Sequence, residues 1–162
     1  MDCPIRRILV YIDGTEQAIT AAQYAVLLAG SAKAELSALY VVNTRALDDL
    51  VRTRIFLQTE QQEYEHDLEA DAERYLNHVR ELAHRKGVAI EALSARGAVH
   101  QESKRVVAEK KIDLLVIGEL SHIRSRRDEF YNEAERAMRT VPCAVLIVRD
   151  EDRVWDLFGD DR

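Results

Sequence analysis

Short runs of apolar residues recur along the chain and alternate with longer segments that have helical periodicity. The runs are continuous and rich in β-branched residues, which is typical of strands buried on both faces. Strands are predicted at Ile8–Ile12, Glu35–Val42, Val88–Ala95, Ile112–Ile117 and Ala144–Val148. Continuous apolar strands joined by helices predict a parallel sheet that is covered on both faces.

The intervening segments place apolar residues three and four positions apart, as amphipathic helices do. Helices are predicted at Gln17–Gly30, Ile55–Lys86, Gln101–Lys111 and Phe130–Thr140. Gly30 fits a helix C-cap, and Gly87 ends the long helix. The opposite face of the long helix is densely charged, which indicates a solvated surface. The segment from Asn43 to Arg54 carries no clear pattern.

The alternation of strands and helices predicts an α/β fold: an open sheet in one domain, of the Rossmann-like nucleotide-binding type. In such sheets the crossovers are right-handed, and ligands bind beyond the carboxyl ends of the strands, where the strand order reverses. Asp13 follows the first predicted strand and Gly118 the fourth. If these strands are neighbours, both residues border one crevice.

Composition narrows the function classes. The 162 residues are 47% hydrophobic and 32% charged, with a net charge of −6. An acidic balance disfavours binding to nucleic acid or to an anionic membrane surface. No apolar stretch approaches the roughly 20 residues that span a bilayer, and Ile8–Ile12 is too short for a signal-peptide core. We therefore expect a cytoplasmic protein without nucleic-acid or membrane partners.

The chain divides into a body, residues 1–149, and a C-terminal tail, residues 150–162. The tail is polar apart from Val154, Trp155, Leu157 and Phe158. A free tail would not normally carry such side chains. We expect the tail to pack on the body or across a dimer interface.

The stretch from Leu114 to Val148 has the layout of a phosphate-binding crossover: strand, Gly118, polar loop, helix, strand. After Gly118, however, no glycine occurs before Gly159. The loop instead carries a cluster of positive charge at Arg124, Arg126 and Arg127. These arginines either form a modified anion site or pair with nearby carboxylates in a solvated loop, and the solvated loop is favoured.

Catalytic and metal-binding motifs are missing from the sequence. No serine lies in a Gly-x-Ser-x-Gly turn, and the adjacent pair Ser121-His122 is not a catalytic triad. The histidines lack metal-ligand spacing, and the two cysteines, Cys3 and Cys143, form no disulfide framework. The sequence therefore predicts a protein that is not an enzyme and has no metal site.

Several segments together resemble one known family. The opening RILVYIDGT, residues 7–15, resembles the first strand of universal stress proteins, which ends in Asp-Gly-Ser/Thr. Residues 34–42 resemble their second strand, Gly97 a turn before a helix, and residues 112–118 the fourth strand. Residues 141–149, with their Pro-Cys pair, resemble the final strand. The resemblance covers residues 5 to 149, and the order of its motifs makes it specific.

The resemblance implies a five-stranded parallel sheet of order 3-2-1-4-5. It also implies a homodimer, here formed through Ala144–Val148 and the tail. Some members bind ATP through a loop of the form Gly, two residues, Gly, about nine residues, Gly, then Ser or Thr, whose amides cradle phosphates. This chain keeps Gly118, but the later glycines fall on Ser121 and Tyr131, and the hydroxyl residue on Asn132. A tyrosine does not adopt positive φ cheaply, so ATP is not expected to bind in the usual way.

By the same resemblance, the nucleotide-site positions are Asp13, Val41, Ile117, Gly118, Ser121 and Asn132. The position of Asp13 contacts nucleotide in members that bind it. Asp13 could equally serve as a turn or N-cap residue, and the sequence favours neither interpretation. Val41 and Ile117 either line an adenine pocket or belong to the hydrophobic core, and the sequence favours the core interpretation. The expected function is a dimeric stress-response module without a cofactor. The alternative is a switch that binds ATP or AMP and hydrolyses ATP weakly at most, using the arginine-containing loop.

Overall fold

The computed structural model describes residues 2–44, 52–53, 57–120 and 133–159. Within these ranges the strands are β1 (Arg7–Ile12), β2 (Glu35–Val42), β3 (Ile90–Arg96), β4 (Leu114–Gly118) and β5 (Ala144–Val148). The helices are α1 (Glu16–Ala32), α2 (Gln58–Arg85), α3 (Val99–Lys110), α4 (Glu133–Thr140) and α5 (Glu151–Phe158). Strands and helices alternate as the apolar pattern predicts.

The strands form one parallel sheet in the order β3-β2-β1-β4-β5. Ile8 of β1 lies opposite Leu36 of β2 on one side and Leu114 of β4 on the other. The strand order reverses between β1 and β4, as expected. The predicted sheet topology is therefore confirmed.

Side chains of β1 alternate between two apolar layers. Ile8, Val10 and Ile12 point into a layer that α1, α2 and α5 cover. Leu9 and Tyr11 point into the opposite layer, which contains the apolar residues of α3 and α4. Both faces of the sheet are therefore covered by helices, which explains why the strands are apolar throughout.

Helix α1 continues past Gly30, so the prediction of a C-cap at Gly30 is wrong. The helix ends at Ala32, and Lys33 takes the left-handed conformation, with φ of 54°. The backbone N–H of Lys33 donates to the carbonyl of Ala29. A Cβ at Gly30 would lie 3.4 Å from Val88. Gly30 thus sits inside the helix at a close side-chain contact rather than at its end.

Several other boundaries differ from the predictions by one to three residues. Helix α2 begins at Gln58 instead of Ile55, and Glu60 accepts a hydrogen bond of 3.3 Å from the N–H of Leu57. Strand β3 runs to Arg96 because Gly97 makes the turn there, with φ of 135° and its N–H bonded to the carbonyl of Val42. Helix boundaries depend on such local bonds and are weakly marked in sequence.

The described part of the C-terminal tail, residues 150–159, folds as helix α5 on the body of the same chain. Asp150 begins the helix and accepts a hydrogen bond of 3.3 Å from the N–H of Arg153. Val154 and Phe158 are buried against α1, and the ammonium of Lys86 lies 4.6 Å from the centre of the Phe158 ring.

None of the helices in the described part of the chain is long and apolar enough to cross a bilayer.

Candidate functional site

The turn between β1 and α1 is held by its own side chains. Asp13 accepts two hydrogen bonds at Oδ1, from the N–H of Thr15 at 3.0 Å and from its hydroxyl at 2.6 Å. The Thr15 oxygen in turn accepts from the N–H of Ala18 at 3.1 Å, which makes Thr15 the N-cap of α1. The turn role predicted for Asp13 is therefore present, while capping falls to Thr15.

Gly14 lets this turn lie directly under helix α2. Its φ is 83°, and a Cβ at this position would lie 2.8 Å from Cε2 of Tyr75. The Tyr75 ring stacks on that of Tyr40, with centroids 6.2 Å apart and planes inclined by 6°. The β1–α1 turn, the end of β2 and α2 are thus fixed against one another.

A cleft of about 290 Å³ opens beside this turn, at the carboxyl ends of β1 and β2. Helix α2 forms one side, and the first residues of α3 and α4 reach it from the other. The lining residues are Tyr11, Asp13, Tyr40, Val41, Val42, Asn43, Tyr64, Leu68, Val99 and Glu133. The cleft lies where parallel α/β sheets bind their ligands.

Tyrosines make up much of the cleft wall. Burial raises the pKa of Tyr11 far above the ordinary value, and the carboxylates of Asp13 and Glu133 raise it further. Burial also raises the pKa of Tyr40, with contributions from Asp71 and Asp13. Both phenols are therefore neutral around pH 7. Tyr64 is 46% exposed and lies on the cleft rim.

Glu133 brings a second carboxylate to the cleft. It is the first residue of α4, where a negative charge is favoured by the helix dipole. Its Oε2 atom is buried and accepts no hydrogen bond from any described residue. Asp13 and Glu133 are the only carboxylic acids that line this cleft in the described part of the chain.

The predicted nucleotide positions separate in the structure. Asp13 and Val41 both line the cleft. Ile117 does not line it: the residue is fully buried between the sheet and helices α3 and α4, because its position in β4 points into that layer. In the structure Ile117 is a core residue, and its assignment to an adenine pocket stays a prediction. Ser121 and Asn132 lie outside the described residues, as do Tyr131 and the arginines at 124, 126 and 127.

Gly118 ends β4 at a point where α1 crosses it closely. A Cβ at Gly118 would lie 2.4 Å from the carbonyl oxygen of Gln17 and 2.5 Å from its carbon. No real Cβ makes such contacts with backbone, so a glycine is required here by packing alone. The first glycine of the expected phosphate motif thus has a structural reason that involves no ligand.

Sequence patterns did not indicate the roles of Tyr11, Tyr64 and Glu133. Tyr11 reads as one more apolar position of a buried strand, and Tyr64 as part of the apolar face of α2. Glu133 is one charge among many at a helix start. Only the tertiary fold brings these three residues to one cleft, so no local signal could have found them.

A larger opening of about 440 Å³ lies at the other end of the sheet, among residues that precede β1 and follow α1. The arginines of this opening already face carboxylates: Arg6 lies 3.7 Å from Asp2, and Arg7 lies 3.4 Å from Glu35. The smaller cleft is the stronger candidate, because it lies at the carboxyl ends of the strands and has an aromatic wall. Across the described ranges no cluster of three histidine, cysteine or acidic residues is placed to hold a metal ion.

Comparison with known proteins agrees with this architecture. The model of the universal stress protein family matches residues 4–149. Universal stress protein YxiE from Bacillus subtilis is 28% identical over 88% of this chain and 98% of its own length. A universal stress protein from Methanocaldococcus jannaschii is 26% identical over 89% of this chain and 82% of its own.

Solved structures share the fold. A universal stress family protein from Burkholderia pseudomallei superposes with a TM-score of 0.69 at 24% identity, over 91% of this chain and 98% of its own. A universal stress protein in complex with cAMP gives 0.65 at 19% identity, over 90% and 97%. An Arabidopsis thaliana family member with AMP bound gives 0.62 at 15% identity, over 96% and 99%. With the family model matching nearly all of its length, this chain belongs to the universal stress protein family.

Proposed function

We propose that this protein is a homodimeric, non-catalytic regulatory module of the stress response that does not hold ATP through a glycine loop. The observation that carries the proposal is the contact of Gly118 with Gln17. Because the helix crossing requires this glycine, its presence is no sign of a phosphate loop. Ser121 and Tyr131 replace the other two glycines of the motif. Backbone amides that cradle phosphate need conformations that these residues adopt only at a cost.

Calorimetric titration of the full chain with ATP and magnesium tests the first part of the proposal. No saturable binding is expected at millimolar ATP. Saturable binding that Asp13→Ala abolishes would overturn it. Since Asp13 also shapes the turn, Thr15→Ala is the matched control: it removes a hydroxyl of the same turn and leaves the carboxylate in place.

A second candidate function is supported by the cleft itself. Asp13 and Val41, the two positions that nucleotide-binding relatives would use, line one cavity beside β1 and β2. Two structural relatives were crystallised with cAMP and with AMP. On this candidate the cleft receives the nucleoside half of an adenine nucleotide, and the protein is a switch with weak ATP hydrolysis at most.

Titration with AMP and with cAMP separates the two candidates. Saturable binding weakened by both Asp13→Asn and Val41→Trp supports the switch, since the first removes an acceptor charge and the second fills the cavity. If neither nucleotide binds, the result supports the first candidate, a regulatory module that acts without a nucleotide. A variant outside the cleft, Glu109→Gln on the exposed end of α3, should behave as the unaltered protein in both titrations.

The proposed dimer rests on the position of β5 at the sheet edge. One side of β5 pairs with β4, and its residues Val145, Leu146 and Ile147 remain only half-buried in the single chain. An edge strand with free backbone groups and apolar side chains is a ready pairing surface. Sedimentation equilibrium should give about twice the chain mass of 18.5 kDa. A monomer at micromolar concentration would contradict the dimer.

A further inference from the structure

We propose that the cleft beside β1 and β2 is a site for a small organic cation, such as an aromatic amidinium, a guanidinium or a protonated amine on a flat apolar body. This goes beyond the proposed function, which assigns the protein no cationic ligand. The proposal is supported by the shape of the cleft, by the charge of its described lining and by one buried carboxylate oxygen to which no described residue donates a hydrogen bond.

The charge of the lining is negative. Asp13 and Glu133 are acidic, and the described lining contains no lysine, arginine or histidine. Two arginines of neighbouring elements are already engaged: Arg74 bonds Asp71 at 2.8 Å, and Arg96 bonds both Glu65 and Glu69 at 2.8 Å. Their charges are therefore largely compensated before a ligand arrives.

Among the described residues, none donates a hydrogen bond to Oε2 of Glu133, although this atom is shielded from solvent. A carboxylate only accepts hydrogen bonds, and a shielded acceptor without a donor is unfavourable. A ligand that carries N–H groups with positive charge satisfies this oxygen and neutralises the charge in one contact.

Aromatic and aliphatic side chains supply the rest of the surface. The walls include Tyr11, Tyr40 and Tyr64, with Val41 and Leu68 between them. Aromatic faces attract cations, and the attraction grows when water is excluded. A cavity of about 290 Å³ accepts a single ring with a short polar head. An anionic phosphate placed here would instead face two carboxylates.

Three probes of one shape and different charge test the inference. Benzamidine is a cation, benzamide is neutral and benzoate is an anion. The full-length protein is titrated with each by NMR or calorimetry. We expect benzamidine to bind at least tenfold more tightly than benzamide, and benzoate to show no saturable binding. Equal affinity for benzamidine and benzamide, or tighter binding of benzoate, would overturn the proposal.

Variants then locate the site. Glu133→Gln should reduce benzamidine affinity about tenfold and leave benzamide unchanged. Glu135→Gln is the matched control on the same helix, because Glu135 pairs with Arg139 at 2.9 Å and does not line the cleft. If both variants bind benzamidine like the unaltered protein, the cleft is not the site. The charge preference is measured in the unaltered protein, so it stands independently of how the variants fold.

The same protein is titrated with AMP in parallel. Benzamidine binding that depends on Glu133, without AMP binding, supports the cation site and removes the adenine-nucleotide candidate. AMP binding with no preference for benzamidine over benzamide supports that candidate and contradicts the cation site. The two titrations therefore test the nucleotide candidate and the cation site independently.

Discussion

At the scale of single residues, glycines mark where backbones touch. Gly118 and Gly30 both face neighbouring atoms, but the neighbours differ in kind: Gly118 meets the backbone of Gln17, whereas Gly30 meets a methyl group of Val88. Backbone cannot move aside without displacing α1, while a side chain adjusts within its own rotamer. The two glycines therefore tolerate a methyl group very differently.

Gly118→Ala is expected to destabilise the fold by about 3 kcal/mol, at the upper end of the usual range for overpacked core positions. Gly30→Ala should be neutral or stabilise by about 0.5–1 kcal/mol, since alanine is the better helix former. Urea denaturation followed by circular dichroism measures both. Equal stability of Gly118→Ala and the unaltered protein would show that the helix crossing is looser than the geometry indicates.

Gln23 is a second residue with a measurable consequence. It lies fully buried in α1, and neither its amide nitrogen nor its amide oxygen bonds a described group. Gln23→Leu, of similar size, removes two unsatisfied polar atoms and should raise stability by about 1 kcal/mol. A thermal melt that shows a loss of stability would mean that the amide has an energetic role.

At the scale of elements, Asp113 ties the start of β1 to the start of β4. Its Oδ2 accepts hydrogen bonds from the N–H groups of Arg6 at 2.9 Å and of Arg7 at 2.8 Å. These bonds lower the pKa of the carboxyl in the folded protein. A lowered folded pKa means that the ionised form stabilises the fold above the unfolded pKa of about 3.9. The stabilisation is lost as the pH falls through the folded value.

Asp113→Asn should therefore lower the melting temperature at pH 7, and the difference from the unaltered protein should shrink as the pH falls below about 4. Asp2→Asn is the control, because Asp2 forms only an exposed ion pair with Arg6 at 3.7 Å. Thermal melts from pH 2.5 to 7 provide the comparison. A difference that stays constant across this range would exclude the charged hydrogen bonds as its cause.

The strands could be read from sequence because burial on both faces leaves a continuous apolar run, as in residues 114–117. Helix ends were harder, because they depend on single bonds: Lys33 ends α1 by adopting a left-handed conformation that nothing in its chemistry announces. Within the candidate site, Asp13 and Val41 were found through their positions at strand ends. Glu133 was not, because its place in the cleft depends on how α4 packs across the sheet.

At the scale of the whole molecule, α5 completes the layer that covers one face of the sheet. Phe158 is fully buried against α1, whereas its neighbour Leu157 is 50% exposed. The tail is thus part of the folded body and extends the apolar layer beyond the last strand. The sequence indicated that its apolar residues would pack, but not that they would form a helix.

Phe158→Ala should cost about 3–5 kcal/mol of unfolding free energy, as large-to-small changes in a core do. Leu157→Ala, one residue away, should change it by less than about 1 kcal/mol. Truncation after Arg149 should lower thermal stability at least as much as Phe158→Ala. Chemical denaturation of the three variants tests this, and equal effects of the two point substitutions would contradict the packing of α5.

The central pairing of β1 with β4 also sets the order in which the protein can be built. Arg6 bonds Asp113 across 107 positions of sequence. During synthesis β1 therefore emerges long before its partner, and only β2 is available to pair with it at first. Until the chain reaches Gly118, one backbone edge of β1 stays unpaired. An unpaired strand edge of this kind is where a nascent chain is prone to aggregate, so the non-local pairing of β1 with β4 is the step of folding most exposed to aggregation.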